Sequence, residues 1–110
     1  MQILDADIPS FNAAIQQGTV LVDFWAQQCI PCQKLSPVLE ALASDFPDIQ
    51  ILKVNVDTQP ILTAQYMIFS LPTLLLFKNG NLQEKAVEII SKESIIKKLH
   101  LRLFLYYFIC

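Results

Sequence analysis

Leu21-Val22-Asp23-Phe24-Trp25-Ala26-Gln27-Gln28-Cys29-Ile30-Pro31-Cys32 is the stretch on which the fold turns. An apolar, β-prone run carrying one acid stops at a Cys-x-x-Cys pair, and helix-forming sequence follows it. The physical reading is a buried strand that delivers two thiols to the first turn of a helix. A helix N-terminus offers unpaired N–H groups and the positive end of the macrodipole, and both favour thiolate over thiol. Two intervening residues let the second sulfur reach back and close a small disulfide ring.

Elements can be read outward from this segment. Upstream, Gln2 to Leu4 fits a short edge strand. Asp7 or Ser10 can cap a first helix, with Pro9 tolerated in its first turn and Gly18 as a C-cap. Val20 to Trp25 is nearly continuous in its apolar character, which suits a central strand covered on both faces. Downstream, Leu35, Val38, Leu39, Leu42 and Phe46 recur at helical spacing, so a helix runs from about Cys29 or Pro31 to Phe46, and Pro37 within it should kink it. Gln50 to Val56 is a second buried strand, and Ile61 to Tyr66 a short helix. Leu71 to Lys78 is a strand, Asn79-Gly80 a hairpin turn, and Asn81 to Glu88 the returning strand. Ser91 caps a last helix whose apolar stripe is Ile95, Ile96, Leu99 and Leu103.

The 110 residues fit one small domain with enough apolar side chains for a core; 54% are hydrophobic and 16% charged, and the net charge is −2. That balance gives no electrostatic footprint for nucleic acid. The charge is uneven: residues 1–90 hold four lysines against nine acids, whereas residues 91–110 hold three lysines and one arginine against one acid. The first seven residues lack the basic start and apolar run of a secretory signal, so a cytoplasmic location is expected. Three cysteines cannot build a disulfide framework, and in a reducing compartment a Cys-x-x-Cys is catalytic or metal-binding rather than structural. Zinc would need two further ligands. Outside the pair the chain has only Cys110 and His100 of suitable type besides carboxylates, and both lie in the tail, so the expectation is no metal.

Asp-Phe-Trp-Ala-x-x-Cys-x-Pro-Cys resembles the active-site segment of the thioredoxin family. Tyr66-Met67-Ile68-Phe69-Ser70-Leu71-Pro72-Thr73-Leu74-Leu75-Leu76-Phe77-Lys78-Asn79-Gly80 resembles that family's Pro-Thr strand and hairpin. The motifs lie in the family's order and at about its spacing. The resemblance covers roughly residues 1–103 as one thioredoxin-like domain and leaves 104–110 as an apolar extension. It implies an α/β fold with a central mixed sheet flanked by helices on both faces. It also implies a thiol–disulfide oxidoreductase that acts on disulfide-containing proteins without a bound cofactor and is recharged by a thioredoxin reductase.

Cys29, at the helix start, is expected to be the nucleophile, and Cys32, one turn in, the resolving thiol. Asp23 interrupts a buried strand, where a carboxylate is costly without a partner or a task. Burial should raise its pKa towards a range that suits proton transfer. By resemblance it accepts the proton of Cys32, with Lys53 as its partner; the alternative is a strand-end acid facing water. By resemblance also, Pro72 is cis and faces the dithiol, and Trp25, Ile30, Pro31, Leu71 and Thr73 bind substrate, with the Leu71 backbone offering strand-like hydrogen bonds.

Departures from the family surround the pair. Gln28 stands where Trp is usual, Ile30 for Gly, Gln33 for Lys, Ser70 for Gly, and Glu88 for a groove Gly. They put partner choice and redox poise in question, so an oxidase or isomerase, or a non-enzymatic binding module, remain alternatives. The tail from Leu99 to Cys110 is too short to span a bilayer. Plain packing of a continued last helix, or disorder of the tail, is favoured over a dimer or membrane-surface contact through it.

Overall fold

The computed structural model describes residues 2–102, so the expectations for Leu103, the 104–110 extension and Cys110 fall outside the described residues. Nine elements follow one another: β1 (Ile3–Asp5), α1 (Ile8–Ala14), β2 (Thr19–Trp25), α2 (Ile30–Asp45), β3 (Gln50–Asn55), α3 (Pro60–Gln65), β4 (Thr73–Lys78), β5 (Asn81–Val87) and α4 (Lys92–Leu99). The strands form one sheet in the order β1-β3-β2-β4-β5. β3 runs parallel to both β1 and β2, and β4 runs antiparallel to both β2 and β5. This is the mixed sheet expected.

Side chains alternate across the strands, and the core divides accordingly. Leu21, Ile51, Leu74 and Leu76 pack with Leu35, Leu39 and Leu42 of α2 and with Ile95 and Leu99 of α4. Val20, Val22, Phe24, Leu52, Val54, Leu75 and Phe77 pack on the other face with Phe11 of α1 and Leu62 of α3. Phe11, Tyr66 and Phe77 meet there as an aromatic cluster, with ring centroids 5.5 to 5.9 Å apart. β2 is buried from Val20 to Phe24; each large side chain so covered contributes about 1.5–3 kcal/mol.

Local chemistry sets the element ends. Asp7 caps α1 by accepting the Ser10 N–H, while the Ser10 hydroxyl meets the Asp7 N–H, a complete capping box. Gly18 is not the C-cap: α1 ends at Ala14, and Gly18, at φ +73°, sits in the turn before β2. Its N–H donates to the Asn79 side chain, tying that turn to the hairpin. Asn79 and Gly80 both have positive φ, +50° and +86°, as a two-residue hairpin turn requires. α2 runs through Pro37 without interruption. β4 begins at Thr73 rather than Leu71, because Pro72 has no N–H to place in the ladder. α4 ends at Leu99 instead of continuing: His100 takes a left-handed conformation at φ +55°, and the Leu101 N–H closes back on the Ile96 carbonyl. Leu101 is then buried under α2 and α4. Among the described residues no helix is long and apolar enough to cross a membrane.

Candidate active site

β2 and β4 lie side by side with Phe24 opposite Thr73. The C-terminal end of β2 and the entry to β4 therefore meet at one end of the sheet. From β2 the chain turns through Ala26 to Gln28 and enters α2, whose N-cap is Cys29. From the β4 side, the same end receives Leu71 and Pro72, joined by a cis peptide bond as expected.

Cys29 and Cys32 form a disulfide with their Cα atoms 5.2 Å apart. The two sulfurs are not equivalent. Cys29 is half-buried, while Cys32 is only 5% exposed. The Cys29 Sγ also accepts the Cys32 N–H at 3.2 Å, one of the donors that a helix start leaves free. Charge appearing on that sulfur therefore meets a fixed N–H and the positive end of a sixteen-residue helix.

Asp23 shares the parity of Leu21 along β2, so it lies on the sheet face that α2 covers. It is 1% exposed, and its Oδ1 has no hydrogen-bond partner among the described residues. Burial pushes its carboxyl up to about 7, and the Lys53 charge opposes that rise. Lys53 stands opposite Asp23 in the β2–β3 register. Its ammonium lies 4.8 Å from the centre of the Trp25 ring, a cation–π contact, and no ion pair within 4 Å joins it to Asp23 among the described residues. Lys53 thus acts on the acid through space while resting on the indole, a contact for which the sequence carries no signal. A cavity of about 270 Å³ lies between α2 and these groups, lined by Trp25, Ala26, Gln27, Cys32, Gln33, Ser36 and Lys53. It brings Cys32, Trp25 and Lys53 together, and Gln33 closes one side by donating to the Gln27 carbonyl.

Leu71 is half-buried, and its backbone N–H and carbonyl make no hydrogen bond among the described residues. Pro72 is buried, and its carbonyl accepts the Glu88 N–H at 2.8 Å. Ile30 and Pro31 are exposed and Trp25 is half-buried. Thr73, expected among the substrate-binding residues, has a buried side chain: it is 1% exposed, and its hydroxyl donates to the Ser70 carbonyl at 2.6 Å. It holds the loop before the cis-proline. Met67, at φ +51°, and Phe69, 89% exposed, stand in that loop; neither was singled out from the sequence. No cluster of His, Cys, Asp or Glu suited to a metal ion occurs among the described residues.

Comparison with known proteins agrees with this geometry. The thioredoxin family model matches residues 2–101. Thioredoxin of Chlamydia trachomatis serovar D is 48% identical over 88 residues, covering 80% of this chain and 86% of that protein. Staphylococcus aureus thioredoxin is 41% identical over 100 residues, covering 90% of this chain and 93% of its own. Among solved structures, oxidised mitochondrial thioredoxin 3 of Saccharomyces cerevisiae superposes with a TM-score of 0.81 at 27% identity, covering 89% of this chain and 93% of that one.

Proposed function

The chain belongs to the thioredoxin family, and from that premise we propose how its residues divide the work of disulfide reduction. It is a disulfide oxidoreductase with a Cys29–Cys32 redox pair. In the proposed cycle the Cys29 thiolate attacks one sulfur of a substrate disulfide. That S–S bond breaks, a mixed disulfide forms on Cys29, and the first substrate thiolate leaves. Asp23 then takes the proton of Cys32. The Cys32 sulfur attacks Cys29, the mixed disulfide breaks, and the second substrate sulfur leaves and is protonated. Two electrons have passed from the dithiol to the substrate.

The observation that carries the assignment is the asymmetry of the pair: Cys29 is reachable at the helix N-cap, whereas Cys32 is buried. Asp23 suits its role because a carboxyl near 7 accepts and returns a proton at neutral pH. Lys53 limits how far burial can raise it. The free Leu71 backbone beside Pro72 can pair with an extended substrate segment, with Trp25, Ile30 and Pro31 at its edges. Electrons return through a reductase, by family a thioredoxin reductase, and the cytoplasm is the proposed setting. The proposed domain spans residues 1–103, supported by the family match over 2–101, with 104–110 as an apolar extension.

Equilibration of the pair against a reduced and oxidised glutathione series tests this reading. A disulfide that only strongly reducing mixtures open makes the dithiol a good electron donor, as a reductase needs. A pair that stays reduced in mildly reducing mixtures moves an oxidase or isomerase role ahead. Failure to form the intramolecular disulfide at any poise removes the redox reading.

A further inference from the structure

Seven large apolar side chains are exposed among the described residues: Leu4, Ile30, Ile61, Met67, Phe69, Leu82 and Val87. Single exposed apolar residues need no explanation. Four of these seven, however, attach to the site. Ile30 follows Cys29 directly and is 64% exposed. Met67, 64% exposed, and Phe69, 89% exposed, lie in the loop that ends at the Leu71–Pro72 bond. Val87, 42% exposed, is the β5 partner of Thr73, the residue after Pro72. By chain position and strand register they make an apolar rim, with Ile30 next to Cys29 and the other three next to the Leu71–Pro72 segment. The charge beside Pro72 is negative, whereas on α2 the exposed Lys34 follows Ile30 by four residues. Glu88 is exposed and bonded to the Pro72 carbonyl, while Gln27, Gln28 and Gln33 around the pair are neutral.

We infer that this rim selects disulfide-bearing protein segments with a bulky apolar residue close to the attacked cysteine, and disfavours acidic ones. The inference rests on the dithiol reading above and names its substrate class. Phe69 is the main determinant. It lies two residues from Leu71, a span of at most about 7 Å. A peptide that pairs with the Leu71 backbone advances by a similar amount over two of its own residues, so a side chain at that spacing reaches the Phe69 ring. Glu88, beside Pro72, repels a carboxylate in the same region.

The test uses the whole chain and three disulfide-linked peptides, identical except at the residue two places from cysteine: leucine, serine or aspartate. The readout is the ratio of kcat/KM values. The leucine peptide should be favoured over the serine peptide by about tenfold, the order an apolar contact supports, with the aspartate peptide slowest. Phe69→Ser should bring the leucine-to-serine ratio close to one, and Phe69→Leu should retain most of it. Equal rates on all three peptides, or a preference that survives Phe69→Ser, overturns the inference and leaves the dithiol reading standing. Hydroxyethyl disulfide, which has no side chain to read, separates the two: failure of the unaltered chain to reduce it as well as the peptides overturns the dithiol reading itself.

Discussion

Replacing Asp23 by asparagine should stabilise the protein, and the gain should depend on pH. Burial raises the Asp23 carboxyl from an ordinary 3.8 to about 7, whereas the unfolded chain leaves it near the ordinary value. Between those limits the native state holds a proton that the unfolded state has released. Stability therefore falls as pH rises through this window, and the full penalty applies above it. Three units at about 1.4 kcal/mol each amount to about 4 kcal/mol. Asparagine keeps the shape but cannot ionise. At about pH 5 the native side chain is neutral in both proteins but the unfolded Asp23 is already ionised, about one unit above its ordinary value, so the variant should gain only about 1–2 kcal/mol. At about pH 8.5 the variant should be more stable by roughly 3–4 kcal/mol. Every other titratable group is common to both proteins, so the difference isolates this carboxyl. Urea unfolding of the disulfide form, followed by circular dichroism, measures it, provided the m-value is unchanged. Lys53→Met removes the charge that opposes burial, so it should move the loss of stability to higher pH. A gain from Asp23→Asn of equal size at both pH values would refute the reasoning, because it would then owe nothing to ionisation.

Three further outcomes follow from the same geometry. Cys29→Ser should reduce turnover of a protein disulfide to the background rate, while Cys32→Ser should accumulate a substrate adduct on Cys29 that dithiothreitol dissolves, seen on a non-reducing gel. Gln33→Lys should ease ionisation of the Cys29 thiol by placing a charge in the first turns of α2; thiolate absorbance should rise at lower pH, and the effect should shrink in about 1 M salt. Asn79→Ala removes both a residue that tolerates positive φ and the acceptor for the Gly18 N–H, and should cost about 1–2 kcal/mol in thermal or urea unfolding.

Much of this was legible because strong local signals agreed with each other. The apolar run ending in Cys-x-x-Cys read as strand and helix start, Asn79-Gly80 as a hairpin, and the lone acid in a buried strand as a carboxyl with a raised pKa. Less legible were features that depend on what lies beside a residue. Lys53 reads as a partner for Asp23 by position and its charge does act on the acid, but nothing in the sequence shows that its ammonium lies over the Trp25 indole. Thr73 reads as part of a binding motif, yet the β4 register turns its side chain inward. Gly18 looked like a helix cap because glycine marks a positive φ without saying which turn requires it. The helix after Ser91 had no strong stop signal, since histidine rather than glycine takes the left-handed position that ends it.

The strand order has a consequence for synthesis of the chain. β1, β2 and β3 are neighbours in the sheet and all lie within the first 55 residues, so they can associate as the polypeptide emerges from the ribosome. β2, however, keeps its second edge open until β4, Thr73–Lys78, has been made, well after β3 ends at Asn55. During that interval Val20 to Phe24, buried in the finished sheet, present an unpaired apolar edge of the kind that joins other strands. A nascent chain stalled before Thr73 should therefore bind chaperones or aggregate, whereas one released after the β5 hairpin should not.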